Sequence, residues 1–586
     1  MLKRDKLVLS SNYETYLALN ELKIESVLWE DCFTDKDLLN LYKKYKKFCN
    51  SWFLDENLKD HSIYDGLSIG KSISIFLAYD LETWVRVFYL LEYLAKNRIE
   101  TTLYVLDKKY FPDEVYEFIH EIQIFYNTKI QVISLGKKDH GIESSVNYVT
   151  SQKRCVGELR RSRKYLSIYL IELLKKIINK SPKEKYRCLI HSIRNGEEYF
   201  KTYFSNSDKY KDIRLYFSPF YYIHRRMFFN DIYKNKISMC IGNQKYQAHS
   251  QLDIENIGDV VRYQLAHIGF IQDIAAQYFF KIFLKYISKA LSVQVNRYNY
   301  LLSAVEKNKI NRILCDGPDT PETFFSKHIM DRVGGEAIFL SHGLMGRKDN
   351  ELDLGRDIIA HKYFYYTNSE KDLFREKYNI PEERFFPVNF LSPNSLQKST
   401  RKNAPKVLIL LDNFQVCLAS RINYFKYFSE LINLCSQIKL TDVTVRYHGA
   451  FLGHYYSTQI DEYTKSALFN GVVIQKKEDV ALKEIIGNYD IVIGPLTSSI
   501  LEAIWAKVLF IPYIPNYFPA ETIEDIMEIQ WFPDLYPKPI SDIMKLKDFL
   551  LKYRDTMDIE YSKYLRSIEK IGVCKTPSDN IWDNIS

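Results

Sequence analysis

The chain has 586 residues, enough for three or four units of ordinary domain size, and its 46% hydrophobic and 26% charged content excludes a disordered protein. A formal net charge of +8 is spread over 81 basic and 73 acidic residues, and no recognition module accompanies the basic clusters near residues 43–47, 160–164 and 175–185, so nucleic acid is not an expected partner. The nine scattered cysteines contain no C-x-x-C pair, which reads as reduced thiols of a cytoplasmic protein, and no apolar run reaches transmembrane length, so any contact with the inner face of a membrane is expected to be peripheral.

In chain order, residues 1–65 read as short helices around a strand at 25–29. From residue 72 two readings stand. Either a strand at 72–80 precedes a helix at 82–96, or one helix covers 68–96, because a short apolar run fits both periods. Strands at 101–106 and 130–135 flank a helix over 112–126. An amphipathic helix at 166–179 and a buried strand at 186–193 follow. Residues 200–305 are aromatic-rich and mostly helical in pattern, most clearly at 271–291. Three strands then come in quick succession, at 313–315, 337–340 and 362–366. Each ends in small or turn-forming residues ahead of a helix, which is the rhythm of a parallel sheet.

A Pro-, Ser- and Asn-rich stretch containing Pro387, Pro393 and Pro405 marks a linker at 391–405. Beyond it the pattern predicts strands at 407–411, 443–447, 471–474, 490–493 and 508–513. The first and last are continuous apolar runs, expected where both faces of a sheet are covered. The expected fold class is therefore α/β, with two doubly wound, Rossmann-like domains facing a central cleft. The first, 1–390, carries an N-terminal extension and a helical insertion at about 200–305. The second spans 406–540, and a C-terminal helix and tail at 541–586 return toward the first. A cleft between such domains is a default ligand site.

The most telling segment lies between Gly487 and Tyr513. An apolar strand runs into Gly494-Pro495, the hydroxyl cluster Thr497-Ser498-Ser499 opens a helix, and a second apolar strand follows. Free N–H groups and a positive dipole at the carboxyl edge of a sheet suit a phosphate. Ser499 and Glu502 also fit a capping box, so a well-capped helix accounts for the same residues. Arg446 and His448 end another strand and fit either a phosphate contact or an ordinary salt bridge and a satisfied histidine. Asp316 and His342 each follow an apolar strand, as carboxyl-edge acid/base groups or as plain turn residues. Glu197 and Glu198 follow the strand at 186–193, as acceptor or acid/base groups or as solvated helix residues. No D-x-D metal motif sits in a suitable turn, so no metal is expected.

The succession of Val445-Arg446-Tyr447-His448-Gly449, Gly487–Gly494, Thr497-Ser498-Ser499 and Glu502 resembles the donor-binding half of GT-B glycosyltransferases, in particular bacterial sialyltransferases, Kdo transferases, related capsule and lipopolysaccharide enzymes, and the polyol-phosphate transferases of wall teichoic acid. In that group a strand ends in a basic residue and a His-Pro pair, where this chain has Gly449 in place of the proline. The resemblance implies a CMP- or CDP-linked donor held by Arg446, His448, Thr497, Ser498, Ser499 and Glu502, with no resident cofactor. It implies Asp316 as general base or nucleophile, His342 as acid or oxyanion stabiliser, and an oligosaccharide or lipid-linked glycan as acceptor. The same resemblance reaches polyol-phosphate transfer from CDP-glycerol or CDP-ribitol, with His342 as base. UDP-sugar transfer and a scaffold without turnover, binding a partner through residues 200–305, stand as further readings.

Overall fold

The computed structural model describes residues 6–10, 19, 22–28, 32, 35–105, 113–134, 185–192, 203, 208–217, 237–239, 254–315, 321–340, 360–388, 405–411, 421–440, 442–447, 472–476, 482–495, 499–515, 534–571 and 580–585. Three parallel sheets organise them, so the expected α/β class is what is found. The number of sheets exceeds expectation, because the first 134 residues contribute one of their own.

That first sheet contains β1 (Lys6–Ser10) and β2 (Val27–Leu28), followed by helix α1 (Asp35–Ser51). A two-residue hairpin of β3 (Ile63–Tyr64) and β4 (Leu67–Ser68) turns at Asp65-Gly66, both with positive φ, as an Asp-Gly turn requires. Neither reading of the next stretch survives intact. Residues 69–96 form two successive helices, α2 (Ile69–Asp80) and α3 (Glu82–Lys96), broken at Leu81. Then come β5 (Glu100–Val105), α4 (Asp113–Tyr126) and β6 (Ile130–Ser134). The sheet runs β2-β1-β5-β6, all parallel.

The second sheet has seven strands. β7 (Tyr186–Ser192) is followed by β8 (Ile213–Phe217) and β9 (Ile237–Met239), so the region read as mostly helical supplies two strands as well as helices. Those helices are α5 (Ile254–Ile268) and the 36-residue α6 (Asp273–Asn308), about 54 Å long at 1.5 Å per residue. β10 (Arg312–Cys315), α7 (Pro321–Val333), β11 (Glu336–Leu340), β12 (Lys362–Tyr365), α8 (Asn368–Tyr378) and the edge strand β13 (Phe385–Pro387) complete the lobe. The order is β13-β12-β11-β10-β7-β8-β9.

Alternation along these strands sends residues to two cores. Leu189, Ile313, Ala337, Phe339 and Tyr363 join the larger core, which α6 shares with the first sheet. Cys188, Ile190, Leu215, Leu314, Ile338 and Phe364 face the other way.

The third sheet comprises β14 (Val407–Leu411), β15 (Val443–Tyr447), β16 (Val472–Lys476), β17 (Ile491–Gly494) and β18 (Leu509–Pro512), in the order β16-β15-β14-β17-β18. Helices α9 (Arg421–Gln437) and α10 (Ser499–Trp505) flank it. Every residue from Val407 to Leu410, Ile491 to Ile493 and Leu509 to Ile511 is buried, as a sheet covered on both faces demands. Helices α11 (Ile543–Asp555) and α12 (Met557–Ile571) pack against this rear lobe. The last helix, α13 (Asn580–Ile585), crosses to the front lobe. Its Ile581, Trp582 and Ile585 are fully buried on the Cys188–Ile190–Leu215 face, Trp582 lies 5.0 Å from the Tyr203 ring, and Asp583 pairs with Lys209 at 2.7 Å. Among the described residues no helix is long and apolar enough to cross a membrane.

Candidate active site

Strand order places the site. In an open parallel sheet the ligand crevice lies beyond the carboxyl ends, where the order of strands reverses. In the rear lobe, counting its own strands in sequence, the order is 3-2-1-4-5, and the reversal falls between β14 and β17. In the front lobe the same count gives 3-2-1-4-5-6-7, and the reversal falls between β7 and β10. Both lobes therefore carry a switch point.

Arg446 is the rear-lobe candidate that the structure describes most fully. It is the penultimate residue of β15, opposite Leu410 of β14 and Gln475 of β16, and only 5% exposed. Burial of a guanidinium is costly unless it is paired, and Arg446 does have partners, so it is a fixed cation near a sheet's carboxyl end and not a solvated surface residue. One strand along, Gly494 ends β17. A Cβ there would sit 3.1 Å from Leu410 Cβ, a tight contact that glycine avoids where the two switch-point strands lie side by side. Ser499 is the first residue of α10, and the half-buried Glu502 lies in its first turn.

The lobes meet at this helix. Leu501 is buried in the core of the front sheet, and the Trp505 ring stands edge-on to Tyr366 at 5.6 Å. Tyr366 immediately follows β12, at the carboxyl edge of the front sheet. The segment leaving the rear switch point thus packs directly on the carboxyl side of the front lobe.

Asp316 directly follows β10, His342 is the second residue after β11, and Glu197 and Glu198 follow β7 within six residues. β7, β10 and β11 are adjacent and parallel, so all four positions follow strands that end side by side at the front switch point. The four residues themselves lie outside the described residues, as do His448, Thr497 and Ser498. Lys476 was not among the sequence candidates. It ends β16 in register with Tyr447, which places a basic residue at the same rear edge. The Gln-Lys-Lys run after the apolar residues 472–474 was the available signal.

The described cysteines Cys32, Cys49, Cys188, Cys315 and Cys435 are buried and lie outside any disulfide. Burial pushes the Cys188 and Cys435 thiols up to about 12, which makes them packing groups and not nucleophiles. No group of three or more metal-ligating side chains occurs among the described residues.

No protein-family model matches the chain, and no curated protein matches it in sequence. Solved structures do overlap it. A UDP-N-acetylglucosamine 2-epimerase has 12% identity and a TM-score of 0.40, covering 69% of this chain and 95% of its own. The wall teichoic acid polymerase TagF has 12% identity and a TM-score of 0.37, covering 74% and 97%. A glycosyltransferase from Rickettsia africae has 13% identity and a TM-score of 0.37, covering 68% and 98%. Nothing about activity follows from overlaps of this size; the fold rests on the strand orders above.

Proposed function

We propose that the chain is a GT-B glycosyltransferase of bacterial surface polysaccharide synthesis, with a nucleotide-linked donor on the rear lobe and a glycan acceptor on the front lobe. The observation that carries this reading is the pairing of two switch points. One lobe presents a buried Arg446 and the β17–α10 segment, and α10 packs on the carboxyl side of the other lobe through Leu501 and Trp505. A bond between two polyoxygenated substrates can be made in such a crevice only if each half is held separately and aligned.

The donor class is carried by the sequence resemblance: a CMP-linked ulosonic acid such as Kdo or a sialic-acid relative. In the step we propose, Asp316 takes the proton of an acceptor hydroxyl as its oxygen bonds to the anomeric carbon. The bond from that carbon to the CMP phosphate breaks, and CMP leaves with the electron pair. Arg446, His448 and the hydroxyls of Ser498 and Ser499 hold the charge that develops on it, so no metal is needed. A retaining variant would use Asp316 as nucleophile. Transfer of a polyol phosphate from a CDP donor uses the same edge, with His342 as base.

The test is ligand-dependent melting with CMP, CDP, UDP and GDP, followed by product analysis with CMP-Kdo and CDP-glycerol. CMP should stabilise most, and only the CMP-sugar should be consumed. Asp316→Ala should lower turnover by roughly 100-fold or more while CMP binding is kept, whereas Ser499→Ala should weaken CMP binding. Indifference to all four nucleotides removes the transferase reading.

A further inference from the structure

Helix α6 carries a buried amide, Gln294, whose donor the described residues leave open, next to the guanidinium of Arg297. Gln294 is 0% exposed, and its Nε2 has no hydrogen-bond partner among the described residues. Its Oε1 receives NH1 of Arg297 at 3.5 Å, and Arg297 is 8% exposed, so the guanidinium is the outer member and the amide the inner one. Arg297 has other partners of its own. Elsewhere α6 satisfies its polar groups. Tyr298 donates to Asp65 at 2.7 Å, and Asn299 exchanges hydrogen bonds with the Tyr64 hydroxyl. A buried amide donor left open in a native interior is costly, and it calls for an explanation such as an absent water, ion or ligand.

The pair's position is specific. α6 turns at Lys309 straight into β10 and so runs antiparallel to it, and α7 returns from β10 toward β11 in the same sense as α6. The two helices therefore lie side by side and parallel, with Tyr298 against Phe325, His328 and Arg332. Gln294 is one turn before Tyr298 on the same face of α6. That puts it level with the beginning of α7, toward the carboxyl edge where β10 ends. A guanidinium backed by an amide N–H is the donor set for an oxyanion.

We propose that Gln294 and Arg297 form an oxyanion subsite of the front lobe, which takes a carboxylate or phosphate group. The subsite is independent of the nucleotide reading, because it lies on the other lobe and needs no particular donor. The experiment is thermal melting of the full chain against inorganic phosphate and, separately, acetate, for the parent, Gln294→Met, Arg297→Met and Ser499→Ala. Gln294→Met keeps the volume and removes the open donor, so without ligand it should melt at or above the parent temperature.

In the parent, one of the two anions should stabilise saturably, and which one does so separates the phosphate from the carboxylate source. Both Gln294→Met and Arg297→Met should weaken that effect by roughly tenfold in apparent affinity, while their response to CMP stays as in the parent. A lower melting temperature for ligand-free Gln294→Met would show the amide to be satisfied structurally, by water, and overturn the proposal. So would an anion effect that Ser499→Ala abolishes and Gln294→Met does not, or no anion effect in the parent.

Discussion

Glu560 is a carboxylate with 1% exposure, set among the Tyr536 hydroxyl, Lys563 at 3.0 Å and Lys552 at 3.1 Å. Burial works to raise its pKa, but the hydrogen bonds from Tyr536, Lys563 and Lys552 outweigh it and hold the group at about 2, against an ordinary 4.5. The folded value is the lower one, so the ionised group contributes stability that is fully present above about pH 4.5 and lost as the pH falls through 2. Both lysines are largely solvated, which reduces their share. Glu560→Gln should cost about 1–3 kcal/mol at neutral pH. It should also flatten the acid limb of the melting profile between pH 4.5 and 2 relative to the parent. A variant whose acid limb matches the parent's would place that stability elsewhere. At the same scale, the Asp65-Gly66 turn was open to sequence reading and was missed, because an Asp-Gly pair announces a hairpin only when strands are seen on both sides, and here each strand is two residues long. Its importance is tertiary. Asp65 pairs with Arg332 and accepts from Tyr298, and its carbonyl lies 2.9 Å from His328 Nε2, which ties the hairpin to α6 and α7.

Whether an element could be read from the sequence depended on how completely it is buried. β14, β17 and β18 lie at or within one residue of their expected bounds, because continuous Val, Ile and Leu runs covered on both faces have no competing pattern. β8 and β9 were hidden, since Ile-Arg-Leu-Tyr-Phe between aromatic neighbours fits a helix as well as a strand. β2 falls inside the strand expected at 25–29, whereas β1 was too short and too close to polar residues to stand out. The position of Arg446 near a strand's carboxyl end followed from the strand pattern alone, and Asp316 and His342 lie outside the described residues. The lobe contact of Trp505 with Tyr366 did not, because no local pattern encodes a meeting of residues 139 positions apart. α13 is the element whose removal tells most. With Trp582 it seals the front-sheet face over Cys188, whose thiol burial pushes up to about 12. Trp582→Ala should cost about 3–5 kcal/mol in denaturant unfolding. It should also let Cys188 react with a thiol reagent under native conditions, where the parent's Cys188 is protected. Unchanged protection would mean that α13 is not the seal.

Over the whole molecule the cores do not map one to one onto the sheets. The first sheet and one face of the second share a continuous core, with α6 as the common wall and eighteen of its residues buried. The rear lobe has a core of its own, running from Val407 to Tyr564. Among the described residues the halves are joined by α10, through Leu501 and Trp505, and by the crossing helix α13. A shared core unfolds as one unit, whereas lobes joined by a modest contact can melt separately. Calorimetry should therefore resolve two transitions. Hydrogen exchange should assign one to the two front sheets together and the other to residues 407–411, 443–447 and 491–512. Saturation with CMP acts only on the lobe that binds it, contributing about 2.7 kcal/mol at 100 times Kd. The rear-lobe transition should therefore move up while the front one stays. If the first sheet melted apart from the second, the shared core would be wrong. If CMP raised the front transition alone, the nucleotide would belong to the other lobe, and Arg446 would lose its proposed role.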